Sequence, residues 1–204
     1  AENKSLYHYI FEQPDDQSKQ DNTKIQIILI GIARGMMLLH QKNIIHRDLS
    51  SMNIVLDQLF RPKITDFGLS KFINKNSQKN TIIPSTIPYE APEKIDSGNY
   101  NHKIDVYSFA IILYEVITKQ APYPKDFTYQ IPEYVKSNKR PKFPANVPLR
   151  FKTLIEKCWD HSQENRPEFK EIYQLLAFDP DYYLIGVDVH KVFDYINLFL
   201  VNNK

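Results

Sequence analysis

The sequence predicts an α+β fold that is mainly helical, with one small β region between two groups of helices. Three observations support this prediction. Apolar residues recur at helical spacing between Ile25 and Leu39, short β-like segments separated by turns follow from residue 44 to residue 65, and helical segments punctuated by prolines fill the chain from about residue 103 onward. No repeat, low-complexity segment or internal linker interrupts this order.

The N-terminal part is predicted to contain two helices. Residues 5–11 indicate a short helix, and Thr23 with Gln26 forms a capping-box pattern at the start of a long one. Its apolar positions, Ile25, Ile28, Ile32, Met36 and Leu39, predict a largely buried helix. The Gly31-x-x-x-Gly35 pair is typical of membrane helix dimers, but the short apolar run favours close packing against another helix in a soluble core.

The rest of the chain is predicted to pass from β segments through a loop to helices. The β-like segments are 44–45, 53–56 and 62–65, and the polar stretch 70–88 is predicted to be a long loop. Predicted helices follow at about 103–118, 127–136, 149–160 and 167–176. A last helix is predicted from residue 189 to about 200, with Asp188 as its N-cap and an apolar face made of Val189, Val192, Phe193 and Ile196.

The composition excludes several classes of protein. A net charge of +2 on 204 residues is too small to indicate binding to nucleic acid or to a membrane surface. The single cysteine, Cys158, excludes an internal disulfide and fits a reducing compartment. The start shows no signal-peptide pattern, and the best apolar run, 25–39, is too short for a bilayer and contains Arg34. We therefore expect a cytoplasmic protein that has neither nucleic acid nor membrane as a partner.

Three segments together indicate a catalytic site. The first is HRDLSSMN, which contains Asp48 and Asn53, the second is DFG, which begins at Asp66, and the third is YEAPE at residues 89–93. Acidic and amide side chains at turns beside short strands suit Mg²⁺, which binds few protein oxygens and completes its shell with water and phosphate oxygens. A further carboxylate nearby can orient a hydroxyl and accept its proton.

These segments resemble motifs of the protein kinase family. HRDLSSMN is similar to its catalytic loop, DFG to its magnesium loop and STIPYEAPE to the end of its activation segment. Downstream, IDVYSFAIILYEVITKQAPYP is similar to the central buried helix and CWDHSQENRPEF to the later helices, in forms typical of tyrosine kinases and tyrosine-kinase-like kinases. The resemblance covers residues 1–178 and implies an α+β protein-kinase-like fold. Residues 179–204 form a C-terminal tail without an assigned role.

The resemblance implies the roles of the site residues. Asp48 would position the acceptor hydroxyl and take its proton, while Asn53 and Asp66 would hold the magnesium ions that bridge the phosphates of ATP. Val55 resembles the apolar floor under the adenine. Phe67 would pack into a regulatory core, where its placement switches the site on or off.

Regulatory and structural roles are implied in the same way. An arginine before the catalytic aspartate, here Arg47, is typical of kinases whose loop is ordered by phosphorylation, and we favour Ser77 or Thr81 as the modified residue. Thr86 occupies the position at which serine/threonine kinases have a threonine in contact with the catalytic aspartate, so we expect serine/threonine specificity. The residues with implied structural roles are His46 beneath the catalytic loop, Gly68, Asp105 bound to the loop backbone, and the ion pair of Glu93 with Arg166.

The sequence departs from the family pattern at two points. Ser50 stands where serine/threonine kinases have a catalytic lysine on the transferred phosphate, and Met52 stands where some tyrosine kinases have an arginine. Because this cation is missing, we expect the rate of phosphate transfer to be lower by about 10²- to 10³-fold. The chain also has no glycine-rich loop, no lysine in a V-A-I-K setting and no helix-C glutamate. We therefore expect a C-terminal lobe only, which alone is inactive or very weak.

The expected function is transfer of the γ-phosphate of ATP to serine or threonine hydroxyls of proteins. The alternatives are a pseudokinase or protein-interaction module, which the Ser50 departure favours, and an inactive fragment. The expected cofactors are ATP and Mg²⁺. The expected partners are a protein substrate and a possible further protein on the C-terminal helix.

Overall fold

The fold is a bundle of helices that carries two small antiparallel β pairs. The computed structural model describes residues 4–12, 21–72, 86–96 and 100–201. The helices are α1 (Leu6–Phe11), α2 (Asn22–Gln41), α3 (Pro92–Asp96), α4 (Lys103–Thr118), α5 (Ile131–Lys136), α6 (Leu149–Cys158), α7 (Phe169–Phe178) and α8 (Val189–Val201). The strands are β1 (Ile44–Ile45), β2 (Ile54–Leu56), β3 (Pro62–Ile64) and β4 (Lys71–Phe72). A mainly helical fold with a small β region, as predicted, is therefore present.

Helix α2 does not begin with the predicted capping box. The Asp21 carboxylate caps it by accepting the Thr23 N–H at 2.8 Å. The Thr23 hydroxyl instead accepts the Asp188 N–H at 2.9 Å, and the Gln26 amide donates to the Leu176 carbonyl at 2.8 Å. The capping-box prediction is wrong because both polar side chains bind the C-terminal part of the chain, and these contacts are invisible in local sequence.

The β region forms two separate antiparallel pairs. In the β2–β3 hairpin, Ile54 lies opposite Ile64, whereas β1 pairs with β4 through Ile44 and Phe72. The prediction of a long loop over 70–88 is therefore wrong at residues 71–72, where the backbone pairs with β1 and forms β4. Residues 73–85 of the predicted loop lie outside the described residues.

The central helix, α4, is buried along almost its whole length, from Ile104 to Val116. It packs against α6, and α2 packs against α7. The helix predicted at 127–136 divides into a 3-10 segment, Lys125–Gln130, and α5, because Pro132 fits only the first turn of an α-helix. Helix α3 was not predicted, since it has only five residues and no apolar periodicity of its own.

The C-terminal helix packs on α2. Val192 and Ile196 of the predicted apolar face are buried, and Tyr195 joins them, whereas Val189 and Phe193 are exposed. The predicted face is therefore rotated toward Tyr195. Asp188 accepts the N–H groups of residues 190 and 191, as expected of the N-cap.

Helix α2 is longer than its apolar run suggested. With 20 residues it is long and apolar enough to cross a membrane by length and composition alone, contrary to the expectation from 25–39. Half of its apolar window is buried inside the fold, which is also typical of a core helix. Arg34 lies over the Phe199 ring of α8, 3.9 Å from its centroid, so the charge within the apolar run has an aromatic neighbour.

A buried carboxylate near the end of α4 titrates near neutral pH. Glu115 is 2% exposed and accepts a hydrogen bond of 2.6 Å from the Tyr89 hydroxyl, which also lies 2.9 Å from the Ser51 hydroxyl. Burial raises the pKa of Glu115 from its usual 4.5 to about 7, because loss of solvation penalises the charged form.

This raised pKa predicts how stability depends on pH. Between pH 4.5 and 7 the Glu115 carboxyl is ionised in the unfolded chain and protonated in the folded chain, so the free energy of unfolding falls as pH rises. The total fall is about 3 kcal/mol, since one pKa unit corresponds to about 1.4 kcal/mol. We expect Glu115→Gln, measured by urea unfolding across this window, to lack the fall. The exposed-site control Glu133→Gln should retain it, and identical profiles for Glu115→Gln and wild type would contradict the assignment.

Glycine at position 31 lets α2 approach two neighbours closely. A Cβ there would overlap the Pro62 ring of β3 and the Tyr195 hydroxyl of α8. We expected the glycine pair to pack against another helix. Gly31 does face α8, but it also faces strand β3.

We expect Gly31→Ala to lower the free energy of unfolding by about 1–3 kcal/mol, because a rigid proline ring cannot move aside. Gly35→Ala is the matched control, since its Cβ meets only the flexible end of Ile64 and should cost less. Denaturant unfolding of both variants tests this, and equal losses would refute the close-packing explanation.

Candidate active site

The backbone of the HRD segment is fixed by one buried carboxylate. The two oxygens of Asp105, at the start of α4, accept the N–H groups of His46 and Arg47, both at 2.9 Å. The His40 ring contacts the same carboxylate, with 2.9 Å between Nε2 and Oδ2. These contacts hold Arg47 at φ 73°, a left-handed conformation that is costly for a residue with a side chain.

His46 connects the catalytic loop to the DFG segment. Its Nε2 lies 2.9 Å from the Thr65 carbonyl, which can only accept, and its Nδ1 lies 3.4 Å from the Asp48 N–H, which can only donate. Both contacts are satisfied by the neutral ring with its proton on Nε2. With both nitrogens occupied and the side chain fully buried, His46 has the structural position that was expected.

The Asp48 carboxylate is positioned by a different group on each oxygen. Oδ2 accepts the Asn53 amide at 3.0 Å, and the same amide group donates to the Asp48 carbonyl at 2.8 Å. Oδ1 lies 3.3 Å from the Thr86 hydroxyl and 3.4 Å from the Thr86 N–H. The carboxylate is therefore oriented yet only half-buried, as a group that receives a proton from a substrate must be.

The β2–β3 hairpin brings Asn53 and Asp66 to one end. Asn53 precedes β2 and Asp66 follows β3, and the Thr65 N–H donates to the Asn53 carbonyl at 2.9 Å. Since the Asn53 amide nitrogen is engaged by Asp48, its amide oxygen is left to bind a cation. Together with the exposed carboxylate of Asp66 this oxygen makes a donor set that fits Mg²⁺.

Asp66 adopts a left-handed conformation, with φ 61°, and its carboxylate accepts the Gly68 N–H at 3.4 Å. Asp66 thereby caps the short 3-10 segment Phe67–Leu69. The Phe67 ring meets the edge of His46 at 5.2 Å between centroids, and 48% of it is exposed. Its expected switching role stays a prediction.

Two further residues of the loop region have defined surroundings. Val55 lies in β2 opposite Lys63 and is partly buried. Ser50 is fully buried, and its hydroxyl has no hydrogen-bond partner within the described residues. In this arrangement the Ser50 hydroxyl does not face the solvent from which a phosphate would approach, and its catalytic role stays a prediction.

Arg47 is buried with its guanidinium 5.5 Å from the Tyr100 ring centroid. Its carbonyl accepts a 2.8 Å hydrogen bond from the ammonium of Lys94 in α3. Ser77 and Thr81 lie outside the described residues, so the expected phosphate contact of Arg47 also stays a prediction.

The ion pair expected between Glu93 and Arg166 is present and bidentate, at 2.6 and 2.8 Å. Arg166 is 1% exposed and also donates to the carbonyls of Asp160 and Lys103. Removal of either partner would leave a buried charge unpaired, which is strongly destabilising.

Sequence reasoning missed the residues that support the loop from beneath. These are the Ser51–Tyr89–Glu115 network, Lys94, and His40 on Asp105. A signal was available for Glu115, because it is an acidic residue within a largely apolar stretch of α4. The partners of these residues come from distant segments and could not be read from spacing.

Comparison with known proteins shows the family to which the chain belongs. The family model described as "Protein tyrosine and serine/threonine kinase" matches residues 1–176. The chain is 38% identical over 174 residues to the RGS domain-containing serine/threonine-protein kinase A of Dictyostelium discoideum, covering 85% of this chain and 15% of that protein.

Two further relatives show the same pattern. The dual specificity protein kinase shkB of Dictyostelium discoideum is 38% identical, over 83% of this chain and 27% of its own length. A serine/threonine-protein kinase of Arabidopsis thaliana is 37% identical, over 75% of this chain and 27% of its own length. The chain thus spans about a quarter or less of the length of these relatives. With its family match covering 176 of 204 residues, the chain belongs to the protein tyrosine and serine/threonine kinase family.

Proposed function

We propose that this chain provides the catalytic-loop side of a protein kinase site that transfers the γ-phosphate of ATP to serine or threonine hydroxyls of a protein substrate. The observation that best supports this proposal is the position of the Asp48 carboxylate, which Asn53 contacts at one oxygen and Thr86 at the other. This arrangement leaves Asp48 oriented to accept a hydrogen bond from an incoming hydroxyl. We propose a cytoplasmic location on the basis of composition alone.

Each residue contributes orientation or charge to the reaction. Asp48 would align the substrate hydroxyl and accept its proton as the hydroxyl oxygen bonds to the γ-phosphorus and the bond from that phosphorus to the departing ADP breaks. The amide oxygen of Asn53 and the carboxylate of Asp66 would hold Mg²⁺ at the hairpin end, where the ion neutralises phosphate charge when bound. Asp105 keeps the loop backbone in place during this step, without contacting the substrate.

Thr86 supports the serine/threonine assignment. Its hydroxyl and its N–H both lie within 3.4 Å of the Asp48 carboxylate, so Thr86 borders the place where the acceptor would bind. Two of the relatives named above are serine/threonine kinases by name, and one is a dual specificity kinase, which makes tyrosine the competing acceptor.

Two features support slow transfer by the chain alone. Ser50 provides no positive charge at the position of the usual lysine, and its hydroxyl is buried. The 204 residues contain five glycines and no glycine-rich phosphate loop. A pseudokinase that acts by protein docking is the second candidate function, and Ser50 is the observation that favours it.

We expect Asp48→Asn to reduce phosphate transfer by about 10²-fold or more, because the amide cannot take the proton, while Mg²⁺–ATP affinity changes little. Transfer is measured in the longest natural form of the protein, and nucleotide affinity by calorimetry. The exposed carboxylate Asp126 gives the control Asp126→Asn, which should leave both values unchanged. Unchanged transfer by Asp48→Asn would refute its catalytic role. Detectable Mg²⁺–ATP binding without transfer in the wild type would favour the pseudokinase.

We expect peptides with serine or threonine acceptors to be phosphorylated and matched tyrosine peptides to be inert. Thr86→Ala should reduce transfer by about 10-fold or more, because a hydrogen bond to a charged group is worth about 1.5–3 kcal/mol. Thr86→Ser keeps the hydroxyl and should retain most of the rate. Phosphopeptide mass spectrometry measures both effects, and equal labelling of tyrosine peptides would overturn the serine/threonine assignment.

A further inference from the structure

A second cluster of ligand-type side chains lies behind the catalytic loop. His40 at the end of α2, His102 just before α4 and Glu168 just before α7 each offer a nitrogen or oxygen atom, and these atoms lie within 4.8 Å of one another. They line a surface cavity of about 390 Å³ together with Phe169. None of the roles assigned to the active site accounts for His102 or Glu168.

The His40 ring has one nitrogen in use and one without a partner. Its side chain is 8% exposed, and Nε2 contacts the Asp105 carboxylate, which can only accept a hydrogen from it. The proton therefore belongs on Nε2, and the neutral ring has a lone pair on Nδ1. That atom is buried with no hydrogen-bond partner within the described residues. An unsatisfied buried polar atom is costly, so a ligand for it would be stabilising.

The contact with Asp105 is the type that prepares a histidine to bind a metal. Metal-binding histidines usually donate their second ring N–H to a carboxylate, which fixes the ring and raises its basicity. The other two groups are close together and more accessible, with His102 Nε2 2.9 Å from Glu168 Oε2. The Lys103 ammonium also binds Glu168, at 2.7 Å, and competes for that carboxylate.

We propose that His40 Nδ1, a ring nitrogen of His102 and the Glu168 carboxylate bind one divalent transition-metal ion, Zn²⁺, with water as a fourth ligand. Two imidazoles and one carboxylate form a donor set that Zn²⁺ accepts in tetrahedral geometry. The bound ion would join the ends of α2, α4 and α7. Through His40 it would also strengthen the N–H donated to Asp105, the residue that holds the HRD backbone.

The first test is Zn²⁺ affinity of the purified chain, measured by competition with a chromophoric chelator. We expect one Zn²⁺ per chain and affinity at least about tenfold weaker in both His102→Gln and Glu168→Gln. Both positions are outside the buried core, and circular dichroism verifies that the variants are folded. The control is His190→Gln, an exposed histidine elsewhere in the chain, which should bind like wild type. Absence of binding, or equal affinities in all four proteins, would overturn the site.

A second measurement tests the connection to the catalytic loop. Saturation with Zn²⁺ should slow hydrogen exchange at the His46 and Arg47 amides, which donate to Asp105, in wild type and in His190→Gln. At the lowest Zn²⁺ concentration that saturates wild type, the slowing should be clearly smaller in His102→Gln, because its weaker site is only partly occupied. Exchange that is equally fast with and without Zn²⁺ in wild type would refute the connection.

Discussion

The structure depends above all on one buried carboxylate that holds a strained loop. Asp105 accepts the N–H groups of His46 and Arg47 and contacts the His40 ring, with no exposed surface of its own. A buried carboxylate is costly unless its oxygens receive hydrogen bonds, and the left-handed backbone of Arg47 persists only when the surrounding contacts fix it. The same two hydrogen bonds offset both costs, because they satisfy the carboxylate and fix the backbone. Removal of Asp105 would release the loop and with it the orientation of Asp48.

The second acid of α4 shows what happens when fewer donors are present. Glu115 receives a hydrogen bond from Tyr89 on one oxygen, while its other oxygen is buried without a partner within the described residues. Burial therefore dominates, and it raises the pKa of this carboxyl to about 7. Both acids lie on one rigid helix and support the catalytic loop, one through the HRD backbone and the other through Tyr89 and Ser51. The helix thus supports the catalytic loop at two places, the backbone of residues 46 and 47 and the side chain of Ser51.

The sequence predicted most elements but fewer of their contacts. The long α2 and α4 were predictable because their apolar residues are numerous and regularly spaced, and the contacts of Asp105, Glu93 and Arg166 followed from motif resemblance. Failures occurred where a tertiary contact decided a local choice. Strand β4 pairs with β1, which is distant in sequence. The Thr23 hydroxyl accepts the Asp188 N–H and does not cap α2. The partners of Ser51, His40 and Lys94 also come from distant segments, so no local pattern could have indicated them.

The tail beyond the family match is part of the same core. Helix α8 buries Val192 and Ile196 against α2, and Thr23 and Gln26 bind the backbone that leads into it. Without this segment the polar side chains would lose their partners and the apolar side of α2 would meet water, so both hydrogen bonding and burial favour the docked helix. A protein partner proposed for α8 would consequently have to use its outer side, where Val189, Phe193 and Leu198 are exposed. Helix α2 also positions His40, which contacts Asp105. The same helix therefore contacts both the C-terminal tail and the residue that holds the catalytic loop.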